Sequence, residues 1–173
     1  MRLFVAINFN DETRTKLIAL RDELRRKAER GRFSAPENIH LTLVFLGECD
    51  SEQTAKAKAA MDAVTLEPLA VTIDRLGRFR RDGGDIWWAG IYESEPLLKL
   101  YHDLTDELTA SGFELEKRKY SPHVTLGREV VTKVKEPPRE IEPFSETVSV
   151  IELMKSERIS GKLTYTAIHE KNV

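Results

Sequence analysis

The pattern H-x-T-L occurs twice, as HLTL at 40–43 and HVTL at 123–126, in a chain of 173 residues that holds only four histidines. Each copy opens a stretch of strand character and follows a proline-bearing approach (APENI and KRKYSP). Each is also separated from the preceding strand-like stretch by a helix-like one. Such a repeat constrains the fold to two half-units built alike with a cleft between them. Side chains two apart share a face of a strand, so His40 and Thr42 point one way and Leu41 and Leu43 the other. His123 and Thr125 are likewise backed by Val124 and Leu126. The apolar pair anchors each strand to a core, which presents the imidazole and hydroxyl on the opposite face.

The rest of the chain supplies elements to flank these strands. Arg2 to Phe9 reads as a buried strand ending at the helix cap Asn10-Asp11, and the following helix is predicted to run to about Arg30 and stop at Gly31. Residues 39–47 form the first motif strand and 51–64 an alanine-rich helix. Strands at 69–79 and 86–92 flank RRDGGD, a hairpin turn signal, and a third helix over 95–111 is closed by Gly112. After the second motif, Pro137, Pro138 and Pro143 predict a surface loop over 134–144. A terminal hairpin then pairs 146–158 with 161–170 around Ile159-Ser160-Gly161. Strands and hairpins interspersed with three helices point to an α+β fold with mainly antiparallel sheet, organised as one domain over 1–173. With 40% apolar residues the chain can bury a core without staples.

Composition narrows the function. The 27 basic and 29 acidic residues leave a formal charge of −2, which argues against coating nucleic acid or membrane by bulk charge, so any anion is held locally. Cys49, the lone cysteine, excludes an internal disulfide and fits a reducing compartment. The opening apolar run is too short for a signal peptide, and none approaches the roughly 20 residues of a membrane span, so a soluble cytoplasmic protein is expected. Neither GxGxxG nor GxxxxGK[ST] is present, which removes the usual signals for dinucleotide or nucleoside triphosphate binding.

If both polar faces line one cleft, two imidazoles and two hydroxyls converge. Imidazoles with pKa near 6.5 can be poised one neutral and one protonated, as a base and an acid acting together require. Threonine hydroxyls donate to anionic oxygens without adding charge. Arg128 offers a planar cationic fork for a phosphate, but alternation gives it the opposite parity to His123, so it contributes only if the strand bends or ends. This set suits a phosphodiester in which one oxygen leaves as another arrives, without a metal. Two alternatives stay open. The histidines can be metal ligands, although the motifs supply no third histidine, cysteine or carboxylate. Either can also be a half-buried strand residue with a satisfied ring, a weaker account of a matched pair.

The chain resembles the two-histidine phosphoesterase superfamily, specifically its bacterial and archaeal LigT/ThpR branch, in RLFVAI, ENIHLTLVFLGE, YSPHVTLGR and the closing Leu153, Ser156, Gly161 and Tyr165. The resemblance implies a bilobal, pseudo-twofold α+β fold: two mainly antiparallel sheets with outer helices around a central cleft. It further implies RNA 2′,3′-cyclic phosphodiesterase activity that opens a terminal cyclic phosphate to a 2′-phosphate without a metal or nucleotide cofactor, and that in reverse makes a 2′-5′ linkage. By motif, His40 is then the proton donor to the departing 3′ oxygen and His123 the proton acceptor that activates water, while Thr42 and Thr125 hold the nonbridging oxygens. The implied partners are RNA 3′ ends carrying a cyclic phosphate, tRNA fragments among them, with a monomer as the working unit. The sequence departs from the family at Phe33, where an aromatic that is commonly tryptophan leaves a base-stacking surface, and at Val44, where a lysine is often found.

Lys117, Arg118 and Lys119 lead directly into the second motif and are candidate RNA contacts along with Phe33. Arg75, Arg78, Arg80 and Arg81 lie on or beside the central hairpin, as phosphate contacts or as solvated surface charges. Trp87 and Trp88 point to opposite faces, so at most one meets a nucleotide. Two further functions compete with the leading one. One keeps the chemistry on small cyclic phosphates or 2′-5′ oligonucleotides; the other is a non-catalytic RNA-end binding module.

Overall fold

The computed structural model describes residues 1–173. Two antiparallel sheets divide the strands. The first has the order β3-β1-β8-β9, from His40–Glu48 (β3), Arg2–Asn8 (β1), Val150–Ile159 (β8) and Lys162–Asn172 (β9). The second has the order β2-β6-β5-β4-β7, from Ala28–Phe33 (β2), His123–Thr132 (β6), Asp85–Ile91 (β5), Leu69–Phe79 (β4) and Arg139–Val148 (β7). Each motif strand therefore belongs to a different sheet, and the architecture is the expected bilobal α+β.

Helix α1, Asp11–Lys27, packs on the second sheet. Helices α2, Ser51–Ala63, and α3, Glu95–Ala110, pack on each other and contact the first sheet. The caps are written in the sequence: Asn10 accepts from the Thr13 amide, Asp50 and Gln53 form a reciprocal capping box, and Ser94 accepts from Leu97. One cluster of 33 buried residues runs from Leu3, Val5 and Ile7 through Leu97, Leu104 and Leu108 to Val124 and Leu126, so the two sheets share a core.

Three expectations need correction. The first helix ends at Lys27, because Ala28 is already extended (φ −86°, ψ 139°) and 28–33 pair with β6; Gly31 lies within that strand and is not a helix stop. Residues 139–148, assigned in part to a loop, form β7. Pro137 and Pro138 precede it, and Pro143 falls on a sheet edge where the β4 pairing jumps from Phe144 to Glu140, so its missing N–H disturbs no ladder. The run 146–158 is not one hairpin arm, since the chain passes at Ser149 from the second sheet into the first.

Candidate active site

The first residue of each motif strand is its histidine. His40 donates Nδ1–H to the Asn38 carbonyl at 2.7 Å, and His123 donates Nδ1–H to the Ser121 carbonyl at 2.6 Å. In both copies the carbonyl two residues back lies beside the ring, coming from the end of a 3-10 turn, Pro36–Asn38, in the first and from an irregular approach in the second. Because a carbonyl only accepts, each ring is held with the proton on Nδ1, which leaves Nε2 free for chemistry. The Thr42 hydroxyl stands 2.9 Å from His40 Nε2 and donates to it when the ring is neutral.

Aromatic side chains wall both imidazoles. Phe4 of β1 and Tyr165 of β9 flank His40 with ring centroids at 4.9 and 5.2 Å. Phe79 of β4 and Trp88 of β5 flank His123 at 5.2 and 5.9 Å. Trp88 pairs with Gly77 on one side and Thr125 on the other, which lays its indole across the sheet beside the motif threonine. Burial against these walls is the main reason both histidines titrate below 6.5, although the bonds to Asn38 and Ser121 pull the other way. Positive charge on His123 and Arg128 further opposes the His40 imidazolium, while Arg128 and Arg118 oppose that of His123. A phosphate between the rings reverses these repulsions and favours the protonated forms.

A bulge resolves the parity of Arg128. Along β6 the partner of Trp87 is Gly127 and that of Trp88 is Thr125, so Leu126 is an extra residue; Leu126 and Gly127 are both buried, and Arg128 returns to the face of His123 and Thr125. Its charge acts on His40, His123 and Tyr165 alike. His40, Thr42, His123, Thr125 and Arg128 thus come together.

The other candidates are scattered. Phe33 pairs with Gly127, and its ring packs over Gly31, Gly127 and Val130 with Arg25 of α1 above it, on the helix side of the sheet and away from His123. Lys117, Arg118 and Lys119 are exposed on the segment before β6 and line a recess of about 890 Å³ beside α3. Of the three, Arg118 is the one whose charge acts on His123, and it also pairs with Glu116 at 2.9 Å. Trp87 is core, as one of the two tryptophans had to be. Arg78 is bound to the Glu136 carbonyl and lies over Trp87, a structural setting. Cys49 is buried, and burial pushes its thiol pKa up, which suits packing and not nucleophilic attack. Phe4, Tyr120 and Tyr165 stood in the stretches that carry the family resemblance without being given a role, whereas Phe79 and Ser34 escaped sequence reasoning, and nothing local marks them.

A family model described as LigT-like phosphoesterase matches residues 7–88. Over 168 residues, 96% of this chain and 93% of the relative, the chain is 30% identical to an RNA 2′,3′-cyclic phosphodiesterase of Escherichia coli. A Thermotoga maritima protein of the same description is 34% identical over 131 residues, 74% of this chain and 70% of that one. Among solved structures, E. coli LigT complexed with 3′-AMP superposes with a TM-score of 0.86 at 29% identity, covering 99% of this chain and 97% of that one.

Proposed function

Since the chain belongs to the LigT-like phosphoesterase family, we propose that it is an RNA 2′,3′-cyclic phosphodiesterase that opens a terminal cyclic phosphate to a 2′-phosphate without a metal. The observation that carries this reading is the matched pair of imidazoles from two sheets, each held by Nδ1 so that Nε2 is left as the reacting nitrogen, beside Arg128. His123 Nε2 takes a proton from water as its oxygen attacks phosphorus. The bond from phosphorus to the 3′ oxygen breaks, and protonated His40 delivers Nε2–H to that oxygen. Thr42 and Thr125 donate to the nonbridging oxygens, and the Arg128 guanidinium offsets the charge that gathers there. That a LigT of the same fold was solved complexed with 3′-AMP supports a nucleotide ligand. The chain groups no three His, Cys, Asp or Glu side chains suited to a metal ion.

With a 5′-hydroxyl in place of water, the same groups in the same protonation states form a 2′-5′ linkage: His123 takes the proton of the 5′-hydroxyl and His40 protonates the departing 3′ oxygen, and ligation is part of the proposal. The substrates are RNA 3′ ends, tRNA fragments among them, met in the cytoplasm by a monomer whose residues 1–173 act as one domain of two lobes. The shared core supports the last point. No helix is long and apolar enough to cross a membrane.

The test is incubation, in EDTA, with a nucleoside 2′,3′-cyclic monophosphate and with an RNA ending in a cyclic phosphate. A 2′-phosphate product is expected from both. No turnover of either refutes the enzyme, and a 3′-phosphate product refutes the assigned leaving group. His40→Ala and His123→Ala are each expected to lose about 10²-fold or more in kcat while remaining folded.

A further inference from the structure

Strand pairing does not fix the distance between the two halves of this site. The motif strands β3 and β6 lie in separate sheets, and β3 is an edge strand, so the carbonyls on its outer side have no strand partner. One hydroxyl fastens each strand: that of Tyr120 reaches across the gap, and that of Ser34, the residue after β2, extends the pairing of β2 with β6. Tyr120 donates its hydroxyl to the Thr42 carbonyl at 2.9 Å, and Ser34 donates its hydroxyl to the Thr125 carbonyl at 2.8 Å. The arrangement is reciprocal. Ser34 lies on the approach to β3 and holds β6, whereas Tyr120 lies on the approach to β6 and holds β3.

We infer that Ser34 and Tyr120 form a crossed clamp that positions Thr42 and Thr125 on the phosphate, an assignment that rests on the proposed function. Each bond ends on the backbone of the very residue whose side chain is offered to the nonbridging oxygens. Ser34 also donates its amide to the Leu126 carbonyl at 2.9 Å, at the bulge that returns Arg128 to the cleft. Both donors are themselves held. The Ser34 carbonyl accepts from the buried guanidinium of Arg21 at 2.8 Å, and the Tyr120 ring stacks on Tyr101 with centroids 4.1 Å apart and planes 5° from parallel. Burial pushes the Tyr120 pKa up, so its hydroxyl keeps its proton wherever the histidines titrate. The clamp therefore stays closed across the working pH range and leaves the pH dependence to the imidazoles.

Tyr120→Phe removes one hydroxyl and keeps the stacked ring, and Ser34→Ala removes the other. Inorganic phosphate is titrated into each folded variant while the imidazole NMR resonances of His40 and His123 are followed, and its inhibition constant is measured in the cyclic nucleotide assay. Loss of folded protein alone lowers apparent kcat but leaves both constants unchanged, so the constants report positioning. Each variant is expected to weaken phosphate about fivefold, the scale of one hydrogen bond. Ser34→Thr, which restores a hydroxyl, is expected to recover most of that loss. Phosphate binding in Tyr120→Phe and Ser34→Ala equal to that of the unaltered protein overturns the clamp while leaving the function intact. An unaltered protein whose imidazole resonances do not respond to phosphate overturns the phosphate site, and the clamp with it.

Discussion

Gly77 is a backbone position on which the setting of His123 depends. A Cβ there would stand 2.2, 2.5 and 2.7 Å from Cη2, Cζ2 and Cζ3 of Trp88. Carbons in contact stand about 3.5–4.0 Å apart, so Gly77→Ala forces the indole to retreat by about 1.5 Å. It has no easy sideways path. Phe79 and His123 flank it at 5.4 and 5.9 Å, and the Arg75 guanidinium lies 5.9 Å from its centroid. The ring must lift into the cleft beside Thr125, its partner in the next strand. Overpacking of this kind costs about 1–3 kcal/mol, and a displaced ring at the phosphate position lowers kcat/KM by about tenfold or more. Urea unfolding followed by tryptophan fluorescence gives the first quantity, and initial rates on a cyclic nucleotide give the second. Trp88→Leu in the same chain separates overlap from other causes. The indole N–H has no partner, so the exchange forfeits packing but no hydrogen bond, and the double variant should be more stable than the sum of the single effects by at least about 0.5 kcal/mol. Gly77→Ala with an unchanged unfolding midpoint and unchanged kcat/KM would refute the close-packing account.

Both histidines titrate below 6.5 in the free protein, so kcat/KM should reach its maximum below 6.5 and fall as pH rises, with the kcat maximum displaced upward because bound phosphate favours the imidazolium; a kcat/KM maximum above neutrality contradicts this. The same lowered values mean that the unfolded chain binds more protons just below 6.5, so stability present above 6.5 is lost as pH falls toward the folded values, and His40→Gln should flatten that slope in urea unfolding at several pH values. Arg128→Lys keeps the charge but not the planar fork and should lower kcat/KM by about tenfold, with Arg128→Ala lower still; equal rates for Lys and Arg would show that the fork is unused. A cyclic substrate with sulfur in place of the bridging 3′ oxygen needs no proton on its leaving group, so it should restore the rate of His40→Ala but not that of His123→Ala, and the opposite pattern would exchange the two roles.

The parts of the site legible in the sequence were those governed by local periodicity. Two residues of spacing placed Thr42 with His40 and Thr125 with His123, and the repeated motif implied facing halves. Parity misplaced Arg128 because a single extra residue, Leu126, inverts it, and no residue type announces a bulge in VTLGRE. Phe33 shows the complementary limit. Its position before the motif suggested a stacking surface, yet β2 pairing turns it toward α1, and β2 itself was hidden because AERGRF, with four of its six residues exposed, has neither the composition nor the alternation of a buried strand. The edge strand β7 was hidden by its prolines for the same reason: tolerance of proline depends on sheet position, which is a tertiary property. The Ser34 and Tyr120 contacts join residues 91 and 78 positions apart, beyond the reach of any periodic reading.

The two imidazoles are matched in tautomer, strand position and Nδ1 partner, so acid and base roles cannot come from those features. What distinguishes them lies around Nε2. His40 Nε2 already faces the Thr42 hydroxyl at 2.9 Å, whereas no protein group bonds the Nε2 of His123. In the neutral ring that hydroxyl donates to Nε2; once His40 is protonated, Nε2 can no longer accept, and the hydroxyl proton is freed for a nonbridging oxygen. Protonating His40 therefore arms its threonine, coupling acid to phosphate grip. The unbonded Nε2 of His123 is free to accept from a nucleophile without first breaking a bond. In the reverse direction His123 carries the proton and His40 must receive one, which requires the Thr42 hydroxyl first to turn away from Nε2. The forward and reverse reactions thus share every group but differ in what Thr42 does, and Thr42→Val should depress both His40 protonation in the presence of phosphate and the forward rate, a pairing that Thr125→Val, with no bond to its histidine, should not reproduce.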